Sequence, residues 1–167
     1  MRCRFARRSS GVARLNTPAV REGYSQRSLP EKLGIKAGHR MAFVAAPKGF
    51  DAILGPLPLG VRRARELRGS IDVTVMFAGD AAGLGRKLRS AKRAMSPAGM
   101  LWVCWPKKTS GVVSDVDENF VREIGLAAGL VDVKICAIDT TWSGLKFVYR
   151  LRDRPAAITP RRVPRKK

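Results

Sequence analysis

Acidic residues are scarce in this chain. Thirteen Asp and Glu stand against 33 Lys and Arg over 167 residues, giving a net charge of +20. Such an excess favours polyanions over cationic partners. Cysteine is scarce as well. Cys3, Cys104 and Cys136 cannot build a disulfide framework, and the last two lie within apolar runs, as small core residues do. A single histidine, His39, leaves no His-rich metal cluster, and no zinc spacing occurs. It follows Gly38 at the start of an apolar run and reads as a partly exposed strand residue, not as a catalytic base. No apolar run is long enough to cross a bilayer, so no membrane partner is expected and the cytosol is the expected compartment. The opening residues MRCRFARRSS lack the apolar segment of a secretory signal, although their Arg/Ser-rich, acid-poor make-up matches that of an organellar transit segment.

What is present divides into a core and two tails. An apolar fraction of 45% is ordinary for a folded protein, and this length suits one domain. Residues 1–22 hold six Arg and one Glu, a net of +5, and residues 151–167 hold seven cations and one Asp, a net of +6. Both stretches are rich in Arg, Pro, Ser and Ala, have little to bury, and are expected to be disordered extensions of a domain at 23–150. Basic tails attract nucleic acid weakly and without sequence preference.

Within 23–150 the pattern alternates strand and helix. SLPEKLG has a Ser28/Glu31 capping-box pattern with Gly34 to end a short helix. MAFVAAP (41–47) reads as a buried strand, GFDAILG as a brief helix or loop, VRRARE as a short exposed strand, and IDVTVMFA (71–78) as a β-branched strand. Ala81, Leu84, Leu88, Ala91 and Met95 recur at helical spacing opposite the cations Arg86, Lys87, Arg89, Lys92 and Arg93. SPAG then reads as a turn into the strand LWVCW. Asp115 with Glu118 suggests a cap for the helix NFVREIGLAAGL, which Gly129 can close. VDVKICAI and LKFVYR, joined by DTTWSG, read as an antiparallel hairpin. The sum is an α/β fold: helices on both faces of a mainly parallel sheet with a C-terminal antiparallel hairpin.

In such sheets ligands bind beyond the carboxyl ends of the strands. Four loops gather there and offer Lys48, Asp80, Trp105, Lys107, Lys108, Thr109, Ser110, Asp139, Trp142 and Ser143. Ammonium and hydroxyl groups suit a phosphate or carboxylate, and an indole suits a flat ligand. Two tempting motifs fail on spacing. GLGRK (83–87) has Arg86 where a phosphate loop needs Gly before Lys, and TWSG has Thr141 where a nucleophile elbow needs Gly. The helix cations Arg86, Lys87, Arg89, Lys92 and Arg93, with Arg62, Arg63, Arg65 and Arg68, form a candidate nucleic-acid surface without interleaved aromatics, so any binding there should be salt-sensitive and sequence-blind.

Two resemblances add to this reading. LGIKAGHRMAFVAAPKG, MSPAGMLWVCW and AGLVDVKICAIDTTWSGLKFVYR resemble the segment before the first strand, the turn into the fifth strand and the terminal hairpin of class I S-adenosylmethionine-dependent methyltransferases. This resemblance implies a single Rossmann-like, three-layer domain of reduced methyltransferase type. That family follows its first strand with a G-x-G-x-G loop. Here Ala45, Ala46, Pro47, Lys48 and Gly49 stand in its place, and the acidic residue expected after the second strand is at best Glu66. The departure argues against bound S-adenosylmethionine. Closer in sequence, GYS (23–25), KLGIKAGHR (32–40), APKGF (46–50), LWVCWPKKTSG (101–111) and TWSGLKFV (141–148) are similar to the bacterial Domain of Unknown Function 3052 family. The expectation is therefore a binding domain for a small anionic or nucleotide-like ligand, without an intact catalytic motif and without a metal. The alternatives are a divergent methyltransferase and a basic nucleic-acid-associated protein.

Overall fold

The computed structural model describes residues 27–156. The expected extension at 1–22, the GYS block, Cys3 and most of the expected C-terminal tail lie outside the described residues; of that tail, Leu151–Asp153 form a single 3-10 turn.

Six strands form one sheet. In chain order the elements are α1 (Leu29–Leu33), β1 (Arg40–Val44), α2 (Phe50–Leu54), β2 (Arg62–Ala64), β3 (Ile71–Phe77), α3 (Leu84–Ala94), β4 (Met95–Pro106), α4 (Glu118–Ala127), β5 (Leu130–Ala137) and β6 (Trp142–Tyr149). The spatial order is β2-β1-β3-β4-β6-β5. β2, β1, β3 and β4 run parallel, while β6 is antiparallel to both β4 and β5. The expected α/β sheet with a terminal hairpin is what the chain forms.

The apolar strands are buried on both faces, and alternate residues feed two cores. Met76, Leu101, Val103 and Trp105 point towards α3 and α4, where they meet Leu84, Leu88 and Val121. Val73, Val75, Phe77, Trp102 and Cys104 point the other way, towards Leu33 of α1 and Phe50 and Leu54 of α2. The result is three layers, helix on sheet on helix. The Trp102 indole N–H, fully buried, donates to the Leu33 carbonyl at 3.0 Å and fixes α1 against the sheet.

Local signals explain most boundaries. The Glu31 carboxylate accepts from the Ser28 amide and hydroxyl at 2.8 and 2.9 Å, and Gly34 ends α1 in the left-handed conformation at φ 76°. Three readings need correction. SPAG is not a turn: residues 95–100 continue as strand, with an irregularity opposite Ile71–Val73. Ser96 donates to Asp72 across this stretch at 2.9 Å, and a β-carbon on Gly99 would collide with the Ile71 carbonyl, so glycine allows the two strands their close approach. The cap of α4 is Asp117, which accepts from the Phe120 amide, while Asp115 accepts from the Ala81 amide in the loop after β3. Finally, Trp142 and Ser143 belong to β6 and not to the connecting loop.

Candidate functional site

The parallel strands β1, β3 and β4 all deliver their following loops to one edge of the sheet. The β5–β6 tip joins them because β6 is antiparallel to β4 and its first residue, Trp142, pairs with Pro106, the last of β4. The four loops therefore meet as the sequence suggested. They frame two separate hollows.

The larger is a cleft of about 840 Å³ beside the end of β4, lined by Trp105, Lys107, Lys108, Thr109, Ser143 and the stretch 114–119. Its chemistry differs from a simple cationic loop. The Lys107 amide donates to the Thr141 carbonyl at 2.7 Å and its ammonium to the Asp139 carbonyl at 2.5 Å. Asp139 in turn accepts from the amides of Thr141 and Trp142, each at 2.7 Å. Ser110 donates to the Lys107 carbonyl at 2.7 Å. Lys107 thus ties the β4 loop to a hairpin tip that Asp139 holds in shape, while Ser110 closes the β4 loop on itself. Trp105 is buried at the cleft wall, and the half-buried Trp142 ring packs at right angles to Phe77 with centroids 5.0 Å apart. Lys108 and Thr109 are exposed, and Asp115, Asp117 and Glu118 place carboxylates on the opposite wall.

The smaller hollow, about 510 Å³, opens where the chain reverses its direction across the sheet. From β1 one connection runs outward to β2, and the next returns past β1 to β3. This is the switch point at which open α/β sheets bind ligands. Val44, Leu67, Ala82, Gly83, Arg86, Lys87 and Ser90 line it. On the α2 side a row of aromatic rings, Phe43, Phe50, Phe77 and Trp142, fills the space with edge contacts at 4.8 to 5.2 Å, so the opening lies on the α3 side. Lys48 and Asp80 are exposed in the loops after β1 and β3. At the end of β1, Ala45 has φ 52°, the one non-glycine residue with positive φ among those described. Alanine takes up there a backbone conformation that glycine normally supplies.

Sequence reasoning assigned Arg86 and Lys87 only to a solvent-facing basic surface; the structure also makes them a wall of this crevice. It missed Val44, Leu67, Ala82 and Ser90, which carry no chemical signature and become a site only through the topology. Among the other cations, Lys92 donates to the Ala128 carbonyl at 2.6 Å, Arg63 pairs with Asp51 and lies 4.5 Å over the Phe43 ring, and Arg68 pairs with Glu66. Burial pushes the Cys104 thiol well up and the Cys136 thiol up, so neither is held as a thiolate nucleophile. His39 accepts from the Lys36 amide at 3.2 Å. Among the described residues no group of three His, Cys, Asp or Glu is placed to hold a metal ion.

No protein-family model matches the chain, and no curated protein matches it either. Solved structures do. An S-adenosylmethionine-dependent methyltransferase from Aquifex aeolicus is 15% identical and superposes with a TM-score of 0.52 over 71% of this chain and 86% of its own. A putative type 11 methyltransferase from Sulfolobus solfataricus is 12% identical, with a TM-score of 0.52 over 73% of this chain and 89% of its own. Precorrin-6y C5,15-methyltransferase from Geobacter metallireducens is 8% identical, with a TM-score of 0.51 over 81% of this chain and 95% of its own. At these identities the likeness is one of fold, and the chain has the Rossmann-like fold of the S-adenosylmethionine-dependent methyltransferases.

Proposed function

We propose that this protein binds an adenosyl ligand of the S-adenosylmethionine type in the crevice between β1 and β3, as a divergent protein of the methyltransferase fold. The observation that carries the reading is the left-handed Ala45 on the switch point. Holding a non-glycine residue there costs about 1 kcal/mol or more, and strain of that kind clusters where a ligand depends on the turn. The G-x-G-x-G pattern is absent, but a left-handed turn stands directly after β1, where that loop would begin.

The residues around the crevice fit such a ligand. β-Carbon positions at Gly49 and Gly79, in the loops after β1 and β3, face open space, so both banks leave room for a close backbone approach. Glu66, in the loop after β2, shares only an exposed ion pair with Arg68, and surface pairs of that kind are worth little. Its carboxylate is therefore free to accept from ribose hydroxyls. The exposed Asp80 supplies an acceptor for an exocyclic amine. Bound S-adenosylmethionine carries a methyl group on a sulfonium, which needs an aligned nucleophile more than an acid or a base. The chain's own part is to bind, orient and exclude water. The solved methyltransferases of the same fold support this reading.

Calorimetric titration of the full chain with S-adenosylmethionine and S-adenosylhomocysteine tests the proposal. Saturable binding is expected, weakened about tenfold in Glu66→Ala, the loss that goes with roughly 1.4 kcal/mol. No heat and no thermal shift with either compound would sink it.

A second reading rests on a different observation. Arg86 and Lys87 line the crevice itself, whereas Glu66 and Asp80 stand outside its lining. That charge suits a phosphate-bearing ligand, in a binding domain that is not an enzyme. Adenosine triphosphate and inorganic phosphate in the same titration separate the two: a response to them alone, lost in Arg86→Ala, selects the anion.

A further inference from the structure

The outer face of α3 is built against its own stability. Arg86, Arg89 and Arg93 lie three and four residues apart, on one stripe facing away from the buried Leu84, Leu88 and Ala91. All three are exposed, and none has a carboxylate partner among the described residues. Like charges at this spacing repel by a few tenths of a kcal/mol per pair. α3 has no acidic residue to relieve them. Arg93, in the last turn, gains a little from the helix dipole, but Arg86 in the first turn opposes it, and the apolar stripe alone docks the helix.

We propose that this stripe binds the phosphodiester backbone of nucleic acid. Seven residues of helix span about 10 Å, the length of roughly three phosphates along one strand. Guanidinium groups suit phosphate because their donors form a fork. Exposed Lys87 stands beside the stripe, and exposed Arg65 lies in the loop after β2, two residues before Leu67, which shares the crevice wall with Arg86 and Lys87. The large apolar side chains exposed among the described residues are Ile53, Leu59, Val112, Val113, Leu126, Val133, Ile135 and Leu151, with no aromatic ring to stack on a base. The surface therefore grips the backbone and reads no sequence, and a duplex serves as well as a single strand. Arg89 and Arg93 stand outside the crevice lining, so the inference does not depend on what occupies the crevice.

The test is fluorescence anisotropy of the full chain with a short labelled DNA or RNA duplex over a salt series, repeated for Arg89→Gln with Arg93→Gln. Each phosphate contact contributes roughly 0.9 to the slope of log affinity against log salt. The double variant is expected to lose about two from that slope, to bind all sequences more weakly by the same factor, and to melt with the wild type. The charge-keeping pair Arg89→Lys with Arg93→Lys should keep the slope. An unchanged slope in the Gln variant places the binding in the basic tails and overturns the proposal. So does failure of the wild type to bind any duplex at low salt, or retention only on vesicles rich in anionic lipid.

Discussion

The ring of Phe147, on β6, fills the space where a β-carbon on Gly125 of α4 would stand. The helix lies that close to the sheet because glycine has no side chain there. On propensity alone Gly125→Ala should stabilise a helix interior by about 1 kcal/mol. Overpacking against a buried ring costs about 1–3 kcal/mol and wins. Urea denaturation should therefore show net destabilisation, relieved when Phe147→Leu is added, because the two sites share one contact.

Thr74, in β3, is fully buried, and its hydroxyl has no hydrogen-bond partner among the described residues. An unsatisfied buried hydroxyl costs about 1–3 kcal/mol, and valine has nearly the same shape. Thr74→Val should raise the urea midpoint with an unchanged slope. A fall in stability would mean that the hydroxyl is bonded after all.

Asp139 tests the nature of the β4 cleft. Its carboxylate holds the amides of Thr141 and Trp142, and Lys107 reaches its carbonyl. Asp139→Ala should cost about 1–3 kcal/mol by loosening the hairpin tip, while Asp139→Asn, which keeps an acceptor oxygen, should cost less. If Asn instead abolishes a ligand-induced thermal shift without changing the melting temperature, Asp139 is a binding residue.

At high pH the fold should weaken. Burial pushes the Cys104 thiol well above its ordinary value of 9.0 and the Tyr149 phenol above 10.0. Both groups stay protonated in the folded chain after they ionise in the unfolded one, so stability falls as pH rises from about 9 upward. Lys146, lowered by burial and then by Lys134 and Lys36, works in the opposite direction. It is only partly buried, so the thiol and the phenol should prevail. The denaturation midpoint is expected to drop across this range, and less steeply in Cys104→Ala. A flat profile for the wild type would refute this.

Much of the fold could be read from side-chain pattern. LWVCW, IDVTVMF and the two hairpin strands announce themselves as apolar runs, and Leu84, Leu88 and Ala91 mark the inner face of α3. The pattern failed where neighbours in space decide. Pro97 and Gly99 look like a turn until Asp72 and Ile71 arrive on the adjoining strand. Asp115 looks like a helix cap, but a loop residue 34 positions earlier, Ala81, claims its carboxylate. The candidate site divided in the same way. Charged and hydroxyl residues were picked out by type, yet Lys107 reaches across to the hairpin tip and the Asp139 carboxylate holds the amides of that tip. The crevice at β1 is walled largely by Val44, Leu67 and Ala82, which only sheet order brings together, and no local sequence signal predicts that Ala45 turns left-handed.

The shortest strand has an effect beyond the molecule itself. β2 is three residues long, and Arg62 and Arg63 are exposed along it at one border of the sheet. A second chain approaching that border to extend the sheet would find few backbone groups to pair with. It would also bring its own guanidinium groups against these two. Short, cationic edges discourage edge-to-edge aggregation. An abrupt β2 therefore serves solubility at high concentration, and a variant with Arg62 and Arg63 replaced by Thr should form β-rich aggregates sooner on heating than the native chain.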